Sequence, residues 1–337
     1  MKENSNVSVV GAGAWGTALA LTLATNGHNV KMWVYGSDEA DGINAAGENR
    51  LFLPGVRLPK NIWATPDLAE SVKNCKLIIV AIPTQFMRKS LNGFKHMVMD
   101  DAVVVSASKG VENESLETPV DIIRESLHAK TGSSVCCLSG PTFAKELAKK
   151  LPTAATIASK DVEAAKFAQA AMSSPFFRLY VHHDVIGVEI GGAVKNVIAI
   201  AAGIADGLGF GHNTRAALIT RGLMEIKRLG LAMGAEAETF SGLSGMGDLV
   251  LTCTGDLSRN RTVGLRLGKG ESLESILGSM TAVAEGVATT LSTYRLSEKI
   301  GVDMPIVAEV YRVLYEGKNV KQAVADLLGR ELKSEFY

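Results

Sequence analysis

The order of apolar and polar residues divides the chain into two halves of different character. In the first half, short apolar runs rich in Val and Ile alternate with longer amphipathic stretches, which is typical of buried parallel strands that alternate with helices. After about residue 184 the strands end and Gly/Ala-rich helical patterns continue to about residue 328. The pattern predicts a doubly wound α/β sheet over residues 1–183 and an all-helical domain over 184–337. Strands are predicted over residues 77–82, 102–106, 134–138, 153–158 and 176–180, and helices over 67–72, 84–97, 118–127 and 161–172.

The N-terminal stretch VSVVGAGAWGTALALTLATNGHNVKMW carries the first motif with a chemical meaning. A valine-rich strand leads into G-x-G-x-x-G at Gly11, Gly13 and Gly16, followed by a helical segment over 17–24 and a second strand over 29–34. In this motif the first glycine makes the turn, the second lets the backbone approach a pyrophosphate and the third lets helix and strand pack closely. The motif alone is weak, but the order of elements predicts a dinucleotide-binding unit. Substrate is then expected in a cleft between the two domains, at the carboxyl ends of the strands.

The same stretch could instead be a secretion signal, because residues 7–24 contain no charge. A signal peptide begins with an excess of positive charge, whereas Lys2 is offset here by Glu3. The three glycines would also weaken a continuous apolar helix. The sequence therefore predicts a folded domain and a cytoplasmic protein.

The composition disfavours several other classes of function. The 337-residue chain has 35 Lys plus Arg and 35 Asp plus Glu, so no net positive charge indicates binding to nucleic acid or to an acidic membrane surface. No further apolar run is predicted to span a membrane. The four cysteines include no C-x-x-C pair and are expected to be buried thiols. His182 and His183 are adjacent and do not share a helix face, so no metal site is predicted.

Three places in the helical half carry polar residues that packing alone does not explain. Lys195, within GGAVKNVIAIAAG, is either a desolvated proton donor or a lysine whose stem lies along the core while its ammonium group reaches water. Asp248, in GMGDLVLTCT, either caps a helix or orients the lysine. The SRNR segment at 258–261 suits a phosphate clamp, although a solvated polar loop has the same composition. These alternatives stay open at this level.

The first half offers two further candidates at the edge of the predicted sheet. Lys109 ends the strand segment VVVSASKG, and SGPTFAKE at 139–146 combines a strand end, a Gly-Pro turn and a helix start. Both follow strands at their carboxyl ends, which is the side on which open α/β sheets bind ligands.

Taken together, these segments resemble the bacterial-type NAD(P)-dependent glycerol-3-phosphate dehydrogenases over nearly the whole chain. The resemblance rests on GAGAWGTALA, LPG, ASKG, SGPTFAKE, GGAVKNVIAIAAG, GLGFGHNTRAALITRG, GDLVLTCT and SRNR, in the family's order. It implies a Rossmann-type domain joined to a helical domain. It also implies reduction of dihydroxyacetone phosphate to sn-glycerol 3-phosphate with NADH or NADPH, for glycerophospholipid synthesis. A homodimer and no metal are expected.

Carried over residue by residue, the resemblance assigns roles to single positions. Lys195 is implied as the proton donor and acceptor, with Asp248 beside it, while Arg259 and Asn260 hold the substrate phosphate. The implied substrate contacts are Lys109, Gly140, Thr142, Lys195, Asp248, Ser258, Arg259 and Asn260. The implied cofactor contacts are Gly11, Gly13, Ala14, Trp15, Gly16, Tyr35, Lys109, Ala144, Arg259, Val283 and Glu285.

Two positions depart from the family's pattern. Ala14 stands where many members have Ser, which leaves the pyrophosphate to backbone N–H groups. Tyr35 stands where others have His or Arg near the adenosine ribose. NAD-selective sites usually carry an acidic residue at the end of the second strand, but here Asp38 comes late, so both NADH and NADPH are compatible with the sequence.

Two other functions fit part of the sequence. Another β-hydroxyacid dehydrogenase would share the sheet and the Lys-Asn pair, but it would bind a carboxylate, which SRNR and GDLVLTCT disfavour. A regulatory protein could bind nucleotide without turnover. The intact set of Lys195, Asp248 and Arg259 disfavours that second alternative.

Overall fold

The structure, a computed structural model, describes residues 5–127, 134–280, 282–332 and 334–335. Its first half contains one sheet of eight strands. The strands are β1 Asn6–Val10, β2 Asn29–Trp33, β3 Ile62–Thr65, β4 Leu77–Val80, β5 Val103–Ser106, β6 Val135–Ser139, β7 Thr153–Ala158 and β8 Phe177–His182. The helices of this half are α1 Ala14–Thr25, α2 Ser37–Ala46, α3 Leu68–Val72, α4 Thr84–Ser90, α5 Pro119–Leu127, α6 Ala144–Ala148 and α7 Val162–Met172.

The strand order is β3-β2-β1-β4-β5-β6-β7-β8. Neighbouring strands from β3 to β6 are parallel, with Val7 in register with Val30 and Leu77. β7 is antiparallel to β6 and parallel to β8. Because the carboxyl ends of parallel strands share one edge of a sheet, the segments that follow β1, β2, β4, β5 and β6 meet there.

Both faces of the sheet are buried, because successive side chains of a strand point to opposite sides. Val7 and Val9 pack in one core with α1, α6 and α7. Val10 and Val80 pack in a second core with α3, α4 and α5. Strands covered on both sides appear in sequence as continuous apolar runs, which is why the pattern predicts them well.

The second half is helical and is built around α8, a 23-residue helix from Val185 to Gly207 that is long and apolar enough to cross a membrane by length and composition. In its most apolar window 94% of the residues are buried inside the protein, so it is the core helix of this half. The remaining helices are α9 His212–Ala232, α10 Asp248–Thr254, α11 Arg259–Gly268, α12 Leu273–Gly278, α13 Glu285–Ile300, α14 Pro305–Tyr315 and α15 Val320–Leu328.

Glycines bring α8 and α11 into backbone contact. A Cβ atom on Gly203 of α8 would lie 2.1 Å from the Arg261 carbonyl oxygen. One on Gly264 of α11 would lie 2.0 Å from the Ile200 carbonyl oxygen. A larger residue at either glycine would push the two helices apart. This close contact therefore fixes the position of α11 against α8.

The predicted fold class is confirmed, and three details differ from the prediction. The helix predicted over 84–97 ends at Ser90, because Gly93 adopts φ +76° and a short 3₁₀ turn, Phe94–His96, follows. β3 and α2 were not predicted, since neither carries a long apolar pattern. The prediction that no further apolar run is long enough to span a membrane is wrong by length and composition, because α8 meets both criteria. The division at residue 183 stays a prediction; it falls between the end of β8 and the start of α8.

Candidate active site

Lys195 lies in the middle of α8 and is 6% exposed. Its Nζ donates to Oδ1 of Asp248 at 2.5 Å and to Oγ1 of Thr252 at 2.8 Å. The ammonium group therefore does not reach bulk water. This excludes the alternative in which only the stem of the lysine is buried and its charge is solvated. It is held inside the protein by one carboxylate and one hydroxyl.

Asp248 is the first residue of α10, but its side chain makes no capping hydrogen bond there, and Gly247 is the N-cap residue. Its carboxylate is 1% exposed and lies between two ammonium groups. Oδ1 accepts from Lys195, and Oδ2 accepts from Nζ of Lys109 at 2.6 Å. Two lysines share one aspartate, so the buried cluster carries one positive charge in excess when both are protonated.

Burial changes the acid–base behaviour of Lys195. Its pKa is lowered to about 8, because desolvation and the positive charge of Lys109 lower it by more than the negative charge of Asp248 raises it. Burial disfavours the charged form of a lysine, and a neighbouring carboxylate favours it. The result is an amine that can donate and accept a proton close to neutral pH.

Lys109 connects this cluster to the edge of the sheet. It follows β5, and its Nζ also donates to the Gly140 carbonyl oxygen at 3.1 Å, at the end of β6. Gly140 has φ +151° and a Cβ there would lie 2.8 Å from Cα of Ala155, so the position requires glycine. The Thr142 hydroxyl donates to the same carbonyl oxygen at 3.1 Å. The predicted residues from both halves thus converge on one buried cluster.

The SRNR segment separates into exposed and fixed members. Ser258 is the N-cap of α11 and accepts from the Arg261 backbone N–H. Arg259 is exposed at the first helical position. Arg261 instead binds Asp206 at 2.8 Å and Asp256 at 3.0 Å, so it anchors the helix.

Asn260 joins the SRNR segment to α8 and α13. Its Nδ2 donates to Oδ1 of Asn196 at 2.9 Å, next to Lys195 on α8. Its Oδ1 accepts from the Gly286 backbone N–H at 2.9 Å, at the start of α13. Asn260 is 8% exposed, so its amide is used by the protein itself on both sides.

The glycine-rich loop has the geometry that a dinucleotide needs. Gly11 adopts φ +117°, and a Cβ on Gly16 would lie 1.9 Å from the Gly11 carbonyl oxygen, so both positions require glycine for the fold. Gly13 is the N-cap of α1 without a side-chain cap, and a Cβ there would meet no described atom within 4 Å. The N–H groups of α1 therefore face an open space that suits a pyrophosphate. The Nε1 atom of Trp15 is buried and lacks a partner among the described residues, which leaves a donor for a ligand.

The other predicted cofactor residues are distributed along the same edge. Ala14 and Ala144 begin α1 and α6. Tyr35 follows β2, is 85% exposed and contacts Trp33 edge to face. Val283 is half exposed just before α13.

Glu285, the first residue of α13, lies near the start of α4. Burial raises the pKa of Glu285, and the positive charges of Arg259, Lys109 and Lys195 oppose that rise. The Thr84 backbone N–H of α4 also lowers this pKa. The Glu285 carboxylate therefore lies close enough to the two lysines and to Arg259 to interact with their charges. It joins the sheet edge to the helical half.

Two residues of this site were not singled out from the sequence. Thr252 lies one helical turn after Asp248, and its hydroxyl donates to the Asp248 carbonyl oxygen at 2.6 Å while it accepts from Lys195. The i, i+4 spacing from Asp248 was the signal that could have identified it. Asn196 follows Lys195 directly and could have been identified as a second polar residue in an apolar helix. Over the residues with described positions, no group of three or more His, Cys, Asp or Glu side chains is arranged to hold a metal.

Comparison with known proteins gives one consistent result. Residues 6–165 match the family model for the N-terminus of NAD-dependent glycerol-3-phosphate dehydrogenase, and residues 184–325 match the model for its C-terminus. A protein of Trichlorobacter lovleyi named glycerol-3-phosphate dehydrogenase [NAD(P)+] is 53% identical, covering 98% of this chain and 99% of that one. One of Citrifermentans bemidjiense with the same name is 50% identical, covering 98% of each. The crystal structure of the Coxiella burnetii glycerol-3-phosphate dehydrogenase has a TM-score of 0.93 at 38% identity, covering 97% of this chain and 99% of that one.

Proposed function

The chain belongs to the NAD-dependent glycerol-3-phosphate dehydrogenase family, and we propose that it reduces dihydroxyacetone phosphate reversibly to sn-glycerol 3-phosphate with NADH or NADPH. The observation that carries this proposal is the buried Lys195–Asp248–Lys109 cluster beside the exposed Arg259. Reduction of a ketone to an alcohol needs a proton donor, and binding of the substrate phosphate needs a cation. The site offers both.

A bound NADH or NADPH supplies the hydride that reduces the ketone carbon. The residues that would hold it are the glycine loop with the start of α1, Trp15, and Arg259 and Glu285 at the helical side. Tyr35, at the end of β2, would lie near the adenosine ribose.

Lys195 supplies the proton in this proposal. As the carbonyl carbon is reduced, the oxygen takes a proton from the Lys195 ammonium group, and the lysine becomes a neutral amine. The Asp248 carboxylate and the Thr252 hydroxyl hold Nζ in one direction, so little reorganisation is needed during the step. In the reverse direction the neutral amine removes the proton from the alcohol.

Arg259 is proposed to position the substrate through its phosphate, while Asn260, whose amide binds Asn196 and Gly286, holds the start of α11 beside it. Arginine pairs with phosphate in two parallel hydrogen bonds, and Arg259 begins α11, where the backbone N–H groups also favour an anion. Fixing the phosphate places the ketone beside Lys195, and such positioning lowers barriers by up to about 7–11 kcal/mol in model reactions. Lys109, Gly140, Thr142 and Ser258 complete the proposed substrate site.

We further propose the biological setting that the resemblance implies. The enzyme would be a cytoplasmic homodimer with a cofactor domain at 1–183 and a substrate domain at 184–337. Its product would supply glycerophospholipid synthesis.

The experiment that tests the function follows the absorbance of the reduced nicotinamide after addition of dihydroxyacetone phosphate, with NADH and NADPH run side by side. We expect substrate-dependent oxidation of at least one cofactor. A panel of β-keto acids serves as the control for the alternative dehydrogenase. Oxidation with the acids but not with dihydroxyacetone phosphate would overturn the proposal, and binding of cofactor without any turnover would favour a regulatory protein.

A further inference from the structure

A buried asparagine outside the motif holds the glycine-rich loop in place. Asn49 is 2% exposed and lies in the segment after α2. Its Nδ2 donates to the Ala12 carbonyl oxygen at 2.7 Å and to Oγ1 of Thr17 at 2.9 Å. Its Oδ1 accepts from the Phe52 backbone N–H at 3.2 Å. The amide is therefore engaged at both ends, and both of its donated bonds go to the loop and the first turns of α1.

The two acceptors lie on either side of the position that faces the open space. Ala12 precedes Gly13, and the Thr17 backbone N–H donates to the Gly13 carbonyl oxygen at 2.9 Å. The Thr17 hydroxyl also donates to the Ala12 carbonyl oxygen at 3.3 Å. Asn49 thus fixes the direction of the peptide before Gly13. That direction decides where the free N–H groups of α1 point.

The LPG motif at residues 53–55 holds the segment that carries Asn49 in place. The Leu53 backbone N–H donates to the Asn49 carbonyl oxygen at 2.9 Å. The Gly55 backbone N–H donates to Oε1 of Glu48 at 2.8 Å, and Gly55 adopts φ +79°. The motif therefore forms a turn whose hydrogen bonds fix the backbone around Asn49.

We propose that Asn49 is a positioning residue for the dinucleotide cofactor, acting through the peptide that precedes Gly13. The inference rests on the proposed function in that it requires the protein to bind NADH or NADPH. Asparagine suits the position because only an amide can donate two hydrogen bonds here and accept a third. Aspartate has the same shape but no donor, and it would place a negative charge beside the Ala12 carbonyl oxygen and the pyrophosphate site.

The chain offers a matched control at the other end of the same helix. Nδ2 of Asn61 donates to the Ala24 carbonyl oxygen at 2.9 Å and to the His28 carbonyl oxygen at 2.8 Å. Asn61 therefore makes the same kind of contact with the end of α1 that lies away from the glycine loop. Asn61→Asp makes the same chemical change at a half-buried position, so it should lower stability somewhat less than Asn49→Asp does, without acting on the loop.

The test is a titration of NADH and of NADPH into substrate-free protein, followed by fluorescence, for the wild type, Asn49→Asp, Asn49→Ala, Thr17→Val and Asn61→Asp. Loss of a buried hydrogen bond should raise the Kd of both cofactors about tenfold or more in Asn49→Asp, with smaller rises in Asn49→Ala and Thr17→Val. Asn61→Asp should stay within about twofold of the wild type. The kcat at saturating cofactor should change little in all four variants, because the lysine cluster is untouched.

The outcomes separate this inference from the proposed function. Wild-type Kd values in Asn49→Ala and Thr17→Val would overturn the role of Asn49, even if Asn49→Asp failed to fold. Equal weakening in Asn49→Asp and Asn61→Asp would also overturn it, because it would indicate a general loss of stability. A wild-type protein that bound neither cofactor would overturn the proposed function and this inference together.

Discussion

The Lys195 ammonium group lies 2.5 Å from the Asp248 carboxylate, and both side chains are buried. The pair joins the longest buried helix to the start of α10. Because Lys109 binds the other oxygen of Asp248, the pair also joins the helical half to the edge of the sheet. The pH dependence of the reaction rate should therefore follow the ionisation of Lys195.

The rate of reduction should therefore depend on pH with a single alkaline limb. Reduction needs protonated Lys195, whose pKa is about 8, so kcat/KM for dihydroxyacetone phosphate should be constant below that pH and fall above it. Oxidation of glycerol 3-phosphate should show the opposite trend. Asp248→Asn should move the limb to lower pH, because the negative charge of Asp248 raises the pKa of Lys195. Asp256→Asn is the control and should leave the limb in place; an unmoved limb in Asp248→Asn would contradict the assignment.

Arg259→Ala should act mainly on binding of the substrate phosphate. A lost charge-assisted hydrogen bond should raise the KM for dihydroxyacetone phosphate roughly tenfold or more, with much less effect on unphosphorylated dihydroxyacetone. Arg266→Ala is the matched control, since Arg266 lies on the same helix and binds Glu271. Equal losses with both substrates would mean that Arg259 serves the cofactor or the fold.

Asp206 should matter to the phosphate clamp although it lies on α8. It binds Arg261 at 2.8 Å and is 6% exposed, whereas Asp256 binds the same arginine at 3.0 Å and is 96% exposed. Breaking a buried ion pair costs roughly 3–5 kcal/mol, so Asp206→Asn should lower the free energy of unfolding and raise the KM for dihydroxyacetone phosphate. Asp256→Asn should do neither, because exposed pairs contribute little. Urea unfolding and steady-state kinetics measure both, and equal behaviour of the two variants would refute the difference in role.

Gly13→Val should weaken binding of NADH and NADPH together while the protein stays folded. A Cβ atom at Gly13 meets no described atom within 4 Å, so the added side chain should intrude on the pyrophosphate rather than on the fold. Gly16→Ala should instead destabilise the fold, because its Cβ would meet the Gly11 carbonyl oxygen at 1.9 Å. Cofactor titration and thermal unfolding distinguish the two, and tight binding by Gly13→Val would contradict the dinucleotide interpretation.

Tyr35→Asp should behave differently from Gly13→Val. An aspartate at the end of β2 would accept a hydrogen bond from a ribose hydroxyl and repel a 2′-phosphate. The preference should therefore shift toward NADH with a smaller total loss of affinity. Fluorescence titration with both cofactors measures this preference. An unchanged preference would mean that other residues select between NADH and NADPH.

The sequence predicts those parts of the fold that depend on local pattern. Fully buried strands such as β4 appear as apolar runs, and Gly11 and Gly16 follow from the steric needs of one turn. It does not predict the contacts that depend on packing between distant segments. The bonds from Asn49 to Ala12 and from Arg261 to Asp206 span long stretches of chain, and neither residue type indicates its partner.

The candidate site shows the same limit. Lys195 and Asp248 could be singled out because polar residues in apolar surroundings need an explanation. Their contact, and the alternatives of a solvated lysine or a helix cap, could be decided only by the coordinates. The two arginines of SRNR looked equivalent, yet only Arg259 is exposed at the start of α11.

The most direct measurement compares the wild type with Lys195→Met for dihydroxyacetone phosphate-dependent oxidation of the reduced cofactor. Methionine keeps the stem of the side chain and removes the proton donor. We use Lys166→Met as the control, because Lys166 is an exposed lysine paired with Glu163 on α7. We expect Lys195→Met to bind NADH and NADPH like the wild type but to turn over about 10²–10⁴-fold more slowly, with Lys166→Met unchanged. A Lys195→Met enzyme that keeps more than about a tenth of the wild-type rate would contradict proton transfer by Lys195.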